Sequence, residues 1–205
     1  MAASTHTQAA TMMKTMKTRE QIDKIKSVVL YVLSQFPDGV DYVKLFKIMY
    51  FAQRRYLGTY GLCIVDDTFK ARQRGPVPAL TYKVLKRVEN DEGFDEFPDL
   101  TDFAGAVTVD DGQKVFAKSA PDMDYIADME RIVLDETIAK YRDVPSDDLS
   151  EMSHDDAWQK VCERMEDDPQ KDALTRIDIA RAGGASAEVL DYIRETQQIE
   201  RALAG

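Results

Sequence analysis

Three places in the chain combine residue types that can do chemistry. His154 is followed by Asp155 and Asp156, the types a general base and an orienting carboxylate require. Adjacent residues on a helix do not face each other, so His154 is expected to cap a helix or pack in the core instead. Cys162 lies eight residues on. A cysteine nucleophile needs a nearby base and an electropositive setting, and the sequence around Cys162 is strongly acidic. The third place is Lys70, Arg72 and Arg74 beside Gly75-Pro76, the densest basic point, whose chemistry is recognition of anions. Gly75-Pro76 lacks the Gly-x-x-x-x-Gly-Lys pattern of a phosphate loop. The chain has two histidines, His6 and His154, and two cysteines, Cys63 and Cys162, without C-x-x-C spacing. No metal site, cofactor or catalytic residue is therefore expected.

The basic point extends into a basic segment. Residues 44–87 hold ten basic and two acidic groups, whereas residues 88–172 hold eight and 26, within a chain of net charge −10. Lys44, Lys47, Arg54, Lys83, Lys86 and Arg87 add to the three cations above, with Phe51, Tyr60 and Tyr82 interleaved. Such a face suits a nucleic acid or an acidic protein surface. The overall negative charge repels phosphates at long range, which disfavours the first. A third reading is that the basic and acidic halves fold against each other and partly cancel.

These residues need elements to hold them. Thr18 and Gln21 have capping-box spacing, and Ile22, Ile25, Val28, Val29, Val32, Leu33 and Phe36 then recur as one helical face. A second helix is expected from Asp41, its N-cap, to Leu57, with Gly58 just beyond its end. Leu45, Ile48, Met49, Ala52 and Tyr56 form its core stripe. Tyr50 and Phe51 lie off that stripe unless the helix is buried on most sides. Leu62 to Val65 and Phe69 to Ala71 read as short extended pieces. Gly75 to Pro78 reads as a rigid break, with Pro78 opening a helix that bears Leu80, Val84, Leu85 and Val88.

Residues 90–120 read as irregular or extended, with a hairpin of 106–109 and 115–117 around Asp110-Asp111-Gly112-Gln113. A long helix is expected from Asp122 to Tyr141, with Ile126, Met129 and Val133 on one face. A helical turn near Leu149, a helix from Asp155 to Met165 and a last helix after Ser186 follow, with loops between.

The sum is a mainly α fold: one helical domain with a small β-hairpin or short β pieces. The 205 residues, 44% of them hydrophobic and 31% charged, suit one ordinary domain and not a disordered chain. No apolar run approaches the ~20 residues of a membrane span, no secretory leader is evident, and the sparse cysteines suit a reducing cytoplasm. Residues 1–18 read as a disordered lead-in, 19–166 as the helical domain, and 167–205 as a helical extension packed on it.

The order of motifs carries a resemblance. Lys44-Leu45-Phe46-Lys47-Ile48-Met49-Tyr50-Phe51-Ala52-Gln53 is followed by Gly61 and Asp66-Asp67, then by Phe69-Lys70-Ala71-Arg72-Gln73-Arg74-Gly75-Pro76-Val77. Later come Leu149-Ser150-Glu151-Met152-Ser153-His154 and Trp158. Over roughly residues 22–165 this resembles the Panacea domain of SocA-like antitoxins. Members show a Lys-Leu-x-Lys-Leu-x-Tyr-x-Ala-Gln helix, an extended segment running into Gly-Pro-Val, and a Leu-Ser-x-x-(Ser/Thr)-His…Trp segment. Where members often carry Trp or Tyr and a basic residue before Gly-Pro, this chain has Gln73-Arg74, and the match is weak beyond residue 166. The resemblance implies a non-enzymatic bacterial or phage protein that neutralises an adjacently encoded toxin by direct binding, with delivery of the toxin to a cytosolic protease as a variant mode. The alternative is a nucleic-acid-binding regulator using residues 44–87. On the antitoxin reading the expected partner-binding residues are the exposed cations Lys47, Arg54, Arg55, Arg72 and Arg74, then Phe51 and Tyr60. Leu45, Ile48, Tyr50, Phe69, Gly75, Pro76, His154 and Trp158 are expected to be structural.

Overall fold

Helix α1 spans Arg19–Ser34 and opens on the expected capping box: the Thr18 hydroxyl accepts from the Gln21 amide (3.2 Å) and the Gln21 side chain accepts from the Thr18 amide (2.8 Å). The structure, a computed structural model, describes residues 17–94 and 98–204. Most of the lead-in expected over 1–18, with His6, lies outside the described residues. The described chain is mainly helical with two small antiparallel sheets.

Helix α2 (Tyr42–Tyr60) is the axis of the fold. Asp41 caps it as expected, accepting from the Lys44 amide at 3.0 Å. The helix runs three residues past the expected end, because its left-handed terminal residue is Gly61 (φ 69°), not Gly58. Gly58 stays inside the helix for a packing reason. A Cβ there would overlap the carbonyl of Gly183, so two glycines let α2 touch α8 (Arg176–Ala182) backbone to backbone. Other faces of α2 meet α5 (Asp128–Tyr141), α6 (Ser146–Met152) and β3 (Gly75–Pro78). The helix is thus buried on most sides, and Tyr50 and Phe51 are core residues beside the expected stripe.

Strand β2 (Phe69–Arg72) and β3 form a tight hairpin, with Arg72 opposite Gly75 and Phe69 opposite Pro78. The expected rigid break is therefore a strand. Its prolines lie opposite Ala71 and Phe69, whose backbones bond outward: the Ala71 amide donates to Asp172 O (2.7 Å) and the Leu174 amide to Phe69 O (2.8 Å). Proline at those positions costs the ladder no donor. The strand expected at 62–65 is absent because the side chain of Gln53 serves as its partner. The Gln53 amide oxygen accepts from Ile64 N (2.9 Å) and Val65 N (3.1 Å), and its nitrogen donates to Val65 O (3.1 Å). Asp67, buried, caps α3 (Ala79–Glu89) from outside the helix through the Leu80 and Thr81 amides.

The second sheet has the order β1-β5-β4: Val40–Asp41, Lys114–Ala117 and Val107–Val109, confirming the expected hairpin around Asp110–Gln113. Helix α4 (Pro98–Gly105) replaces part of the expected irregular stretch, burying Leu100 and Phe103 one turn apart. The helix expected over 122–141 is divided: a 3₁₀ turn at Met123–Tyr125, capped by Asp122, precedes an extended Ile126, and α5 begins at Asp128. Its core face carries Val133, Leu134, Ile138 and Tyr141, whereas Met129 is exposed. Helix α7 (Asp156–Asp167) follows α6, and α9 (Ala187–Ala204) follows Ser186. Of the expected apolar face of α9, Ile193 is buried while Ile199 and Leu203 are exposed. Helix α8, expected as loop, is announced by Thr175 and Asp178, since the Thr175 hydroxyl accepts from the Asp178 amide at 3.0 Å.

Candidate functional site

The tip of the β2–β3 hairpin, Arg72-Gln73-Arg74, projects into solvent while its stem is gripped by three helices. The grip is made by donors aimed at tip and stem carbonyls. Trp158 Nε1 of α7 donates to Arg72 O (3.0 Å), Ser150 Oγ of α6 to Arg74 O (2.9 Å), and Lys47 Nζ of α2 to Pro76 O (2.8 Å). Gly75 makes this possible. Its φ is +90°, and a Cβ would overlap Ser153 Oγ and lie 2.9 Å from Lys47 Nζ. Ser153 Oγ is itself bonded to Ser150 O (2.7 Å).

Lys47 is 1% exposed. Among the described residues its ammonium has one acceptor, Pro76 O, and no carboxylate. Burial, and secondarily the charge of Arg74, lowers its pKa to about 7. The expectation that Lys47 lies on an exposed basic face is corrected: the residue sits under the hairpin it holds. Phe51 is corrected likewise. It packs on Tyr141 with ring centroids 4.6 Å apart, under the guanidinium of Arg54 at 5.0 Å.

His154 and Asp155 go separate ways. The His154 ring stacks on Trp158 at 4.0 Å, and its Nε2 is buried without a hydrogen-bond partner among the described residues. Burial and the nearby Lys47 charge lower its pKa. The Asp155 carboxylate accepts from Tyr50 OH (2.8 and 2.9 Å) and Arg54 (2.7 Å), and caps α7 through Ala157 N and Trp158 N. Burial and that carboxylate push the Tyr50 phenol far up. Asp155 thus orients Tyr50 and Arg54, not an imidazole base. Burial, and secondarily the charge of Glu166, raises the Cys162 thiol, away from the thiolate that a nucleophile requires. The geometry is that of a rigid scaffold around a presented loop.

Leu45, Ile48, Tyr50 and Phe69 are fully buried around this node, Gly75 and Pro76 are buried, and His154 and Trp158 are half-buried. Sequence reasoning missed Ser150, Ser153 and Asp155 as members of the node. The pattern Ser150-x-x-Ser153, one helical turn apart beside His154, was the available signal. Of the remaining expected contact residues, Arg55, Tyr60, Arg72 and Arg74 are exposed and Arg54 is half-buried.

The cations of the basic segment meet acids of the acidic one. Arg54 pairs with Asp155, Arg55 with Glu136, Lys70 and Arg72 with Asp172, and Arg74 with Asp147. The two halves therefore fold against each other, and these five cations are paired with acids.

A family model described as the SocA-like antitoxin Panacea domain matches residues 45–159, from the core stripe of α2 through the hairpin to the residue after Trp158. The chain belongs to this family. No curated protein and no solved structure matches it. The node just described lies wholly within the matched stretch, so it is the heart of this Panacea domain. Helix α1, most of α7, and helices α8 and α9 lie outside the match and pack around it. Among the described residues, no helix is long and apolar enough to cross a membrane.

Proposed function

We infer that this Panacea-domain protein is an antitoxin that neutralises the product of a neighbouring gene by direct protein–protein binding, and that the hairpin tip makes the contact. The observation that carries the reading is the tip itself. Arg72, Gln73 and Arg74 are exposed, yet the Arg72 and Arg74 carbonyls accept from donors of two helices, Trp158 of α7 and Ser150 of α6, and a third helix holds the stem through Lys47 and Pro76 O. A preorganised loop loses little entropy on binding, and arginine is favoured at interface hot spots. The commitment of Asp155 to Tyr50 and Arg54 supports a non-enzymatic role, and the paired arginines of residues 44–87 weigh against a nucleic-acid regulator.

The experiment is co-purification of the tagged protein with its neighbouring gene product, half of the lysate being treated with nuclease. A stoichiometric protein partner whose toxicity is lost in the complex is the expected result. Arg72→Glu with Arg74→Glu should weaken capture about tenfold while the thermal midpoint stays near that of the parent. Undiminished capture by the double variant removes the tip from the interface. Nucleic acid in the untreated eluate, with no protein partner in either half, overturns the antitoxin reading.

A further inference from the structure

A cleft of about 280 Å³ lies between α2, α5 and the C-terminal end of α8. Arg54, Arg55, Lys140 and Thr137 line it around Phe51 and Tyr141. Its lining holds three cations and no carboxylate, in a chain whose net charge is −10.

Two features specify what this cleft can take. The first is that its aromatic faces are already occupied. Arg54 lies over Phe51 at 5.0 Å and Lys140 over Tyr141 at 5.1 Å, and the two rings stand 4.6 Å apart. The cleft therefore offers positive charge fixed by cation–π contacts, and no platform on which a base can stack. The second is size: the space is just below the ~300 Å³ at which small-molecule pockets begin, and it suits a single side chain. Counter-ions are unevenly supplied. Arg54 and Arg55 have Asp155 and Glu136, whereas Lys140 has no carboxylate partner among the described residues.

We propose that this cleft receives an aspartate or glutamate side chain from an acidic segment of the protein partner. The proposal rests on the antitoxin reading, which supplies that partner, and it adds a second contact about the central helix to the one at the hairpin tip. Lys140 gives the entering carboxylate an unpaired cation, and Arg55 exchanges Glu136 for it. Arg54 stays bound to Asp155 and shapes the floor.

The test uses the full chain, labelled with ¹⁵N and titrated with an octaglutamate peptide. Inorganic phosphate and a thymidine oligonucleotide are the comparison probes. The peptide should move the amide resonances of Lys140, Tyr141 and Gly183. Arg55→Gln with Lys140→Gln should weaken it about tenfold, as loss of two exposed charge contacts predicts. Glu136→Gln, which releases Arg55, should tighten it a few-fold, an effect that a merely structural Arg55 would not produce. A peptide response elsewhere, or one indifferent to the double variant, overturns the proposal. Equal or stronger response to phosphate or the oligonucleotide at the same amides overturns the carboxylate assignment. In the co-purification assay, equal capture of the toxin by parent and double variant removes the cleft and leaves the antitoxin reading intact. Capture by neither overturns the antitoxin reading and the partner assigned here with it.

Discussion

Lys47→Met separates a buried charge from an ordinary core residue. An unpaired ammonium in the interior is costly, and here the cost shows as a pKa of about 7 in the folded protein against 10.5 unfolded. The folded value is the lower one. Between the two the unfolded chain therefore carries the extra proton, and stability rises with pH. Below pH 7 both states are charged and the folded state bears the full desolvation cost. Above pH 10.5 both are neutral and the slope vanishes. The difference of the two values corresponds to about 5 kcal/mol in all, of which about 2 kcal/mol accrues between pH 7.5 and 9. That window avoids His154, whose pKa is held down partly by Lys47. The variant removes the titration but leaves Pro76 O without its donor, a loss of about 1–3 kcal/mol. The two profiles should therefore converge: Lys47→Met is more stable than the parent near pH 7, and that advantage shrinks by about 2 kcal/mol between pH 7.5 and 9. Urea unfolding followed by Trp158, the only tryptophan, measures both. Taking the difference between the two proteins cancels Cys63 and Cys162, whose raised thiols oppose the trend in parent and variant alike. Equal slopes from pH 7.5 to 9 would refute the assignment of a buried, titrating Lys47.

Four further substitutions probe the scaffold. Gly75→Ala combines a φ of +90° with overlap on Ser153 Oγ and should cost about 3 kcal/mol, lowering the thermal midpoint by about 6–12 °C. Adding Ser153→Gly should recover part of the loss by removing the overlap, and an unchanged midpoint for Gly75→Ala alone contradicts the packing described. Asp155→Asn removes the anion shared by Tyr50 and Arg54 and should destabilise by about 3 kcal/mol, read as a shift in the urea midpoint. Gly58→Ala forces α2 from Gly183 and should release α8 and α9 first. Limited proteolysis should then cut within residues 167–204 before global unfolding, and parent-like resistance would contradict that.

How much of this was legible in the sequence depended on whether the signal was local. The Thr18–Gln21 capping box, the Asp41 cap and the α2 stripe were readable because each is fixed by neighbours within a turn. The burial of Lys47 and Phe51 was not, because a helical wheel assumes one wet face and α2 has almost none. Its enclosure depends on α5, α6, α8 and the hairpin, all distant in sequence. Residues 62–65 read as a strand by composition, yet their partner is the side chain of Gln53, which no periodicity reports. The family motif marked most of the node, including Gly75 and Trp158. It did not reveal that Ser150 and Trp158 donate to tip carbonyls, a fact of three-dimensional placement.

Which arginine a partner can recruit follows from what each would give up. Arg54 and Asp155 are both largely shielded, and Asp155 also holds Tyr50 and the start of α7. Drawing Arg54 away leaves a shielded carboxylate short of its cation, a cost of about 3–5 kcal/mol. The Arg55–Glu136 and Arg74–Asp147 pairs are half-exposed or more on both sides. Such pairs contribute about 0–1 kcal/mol each, so an incoming carboxylate can replace either acid at little expense. Arg72 stands between these cases, exposed itself but paired to a shielded Asp172 that keeps Lys70 when Arg72 leaves. The internal pairing that cancels the charge asymmetry thus leaves Arg55, Arg72 and Arg74 aimed but uncommitted, and fixes Arg54 as scaffold. Arg55 and Arg74 should consequently answer to ionic strength in partner binding, while Arg54→Gln should act through stability, at high salt as at low.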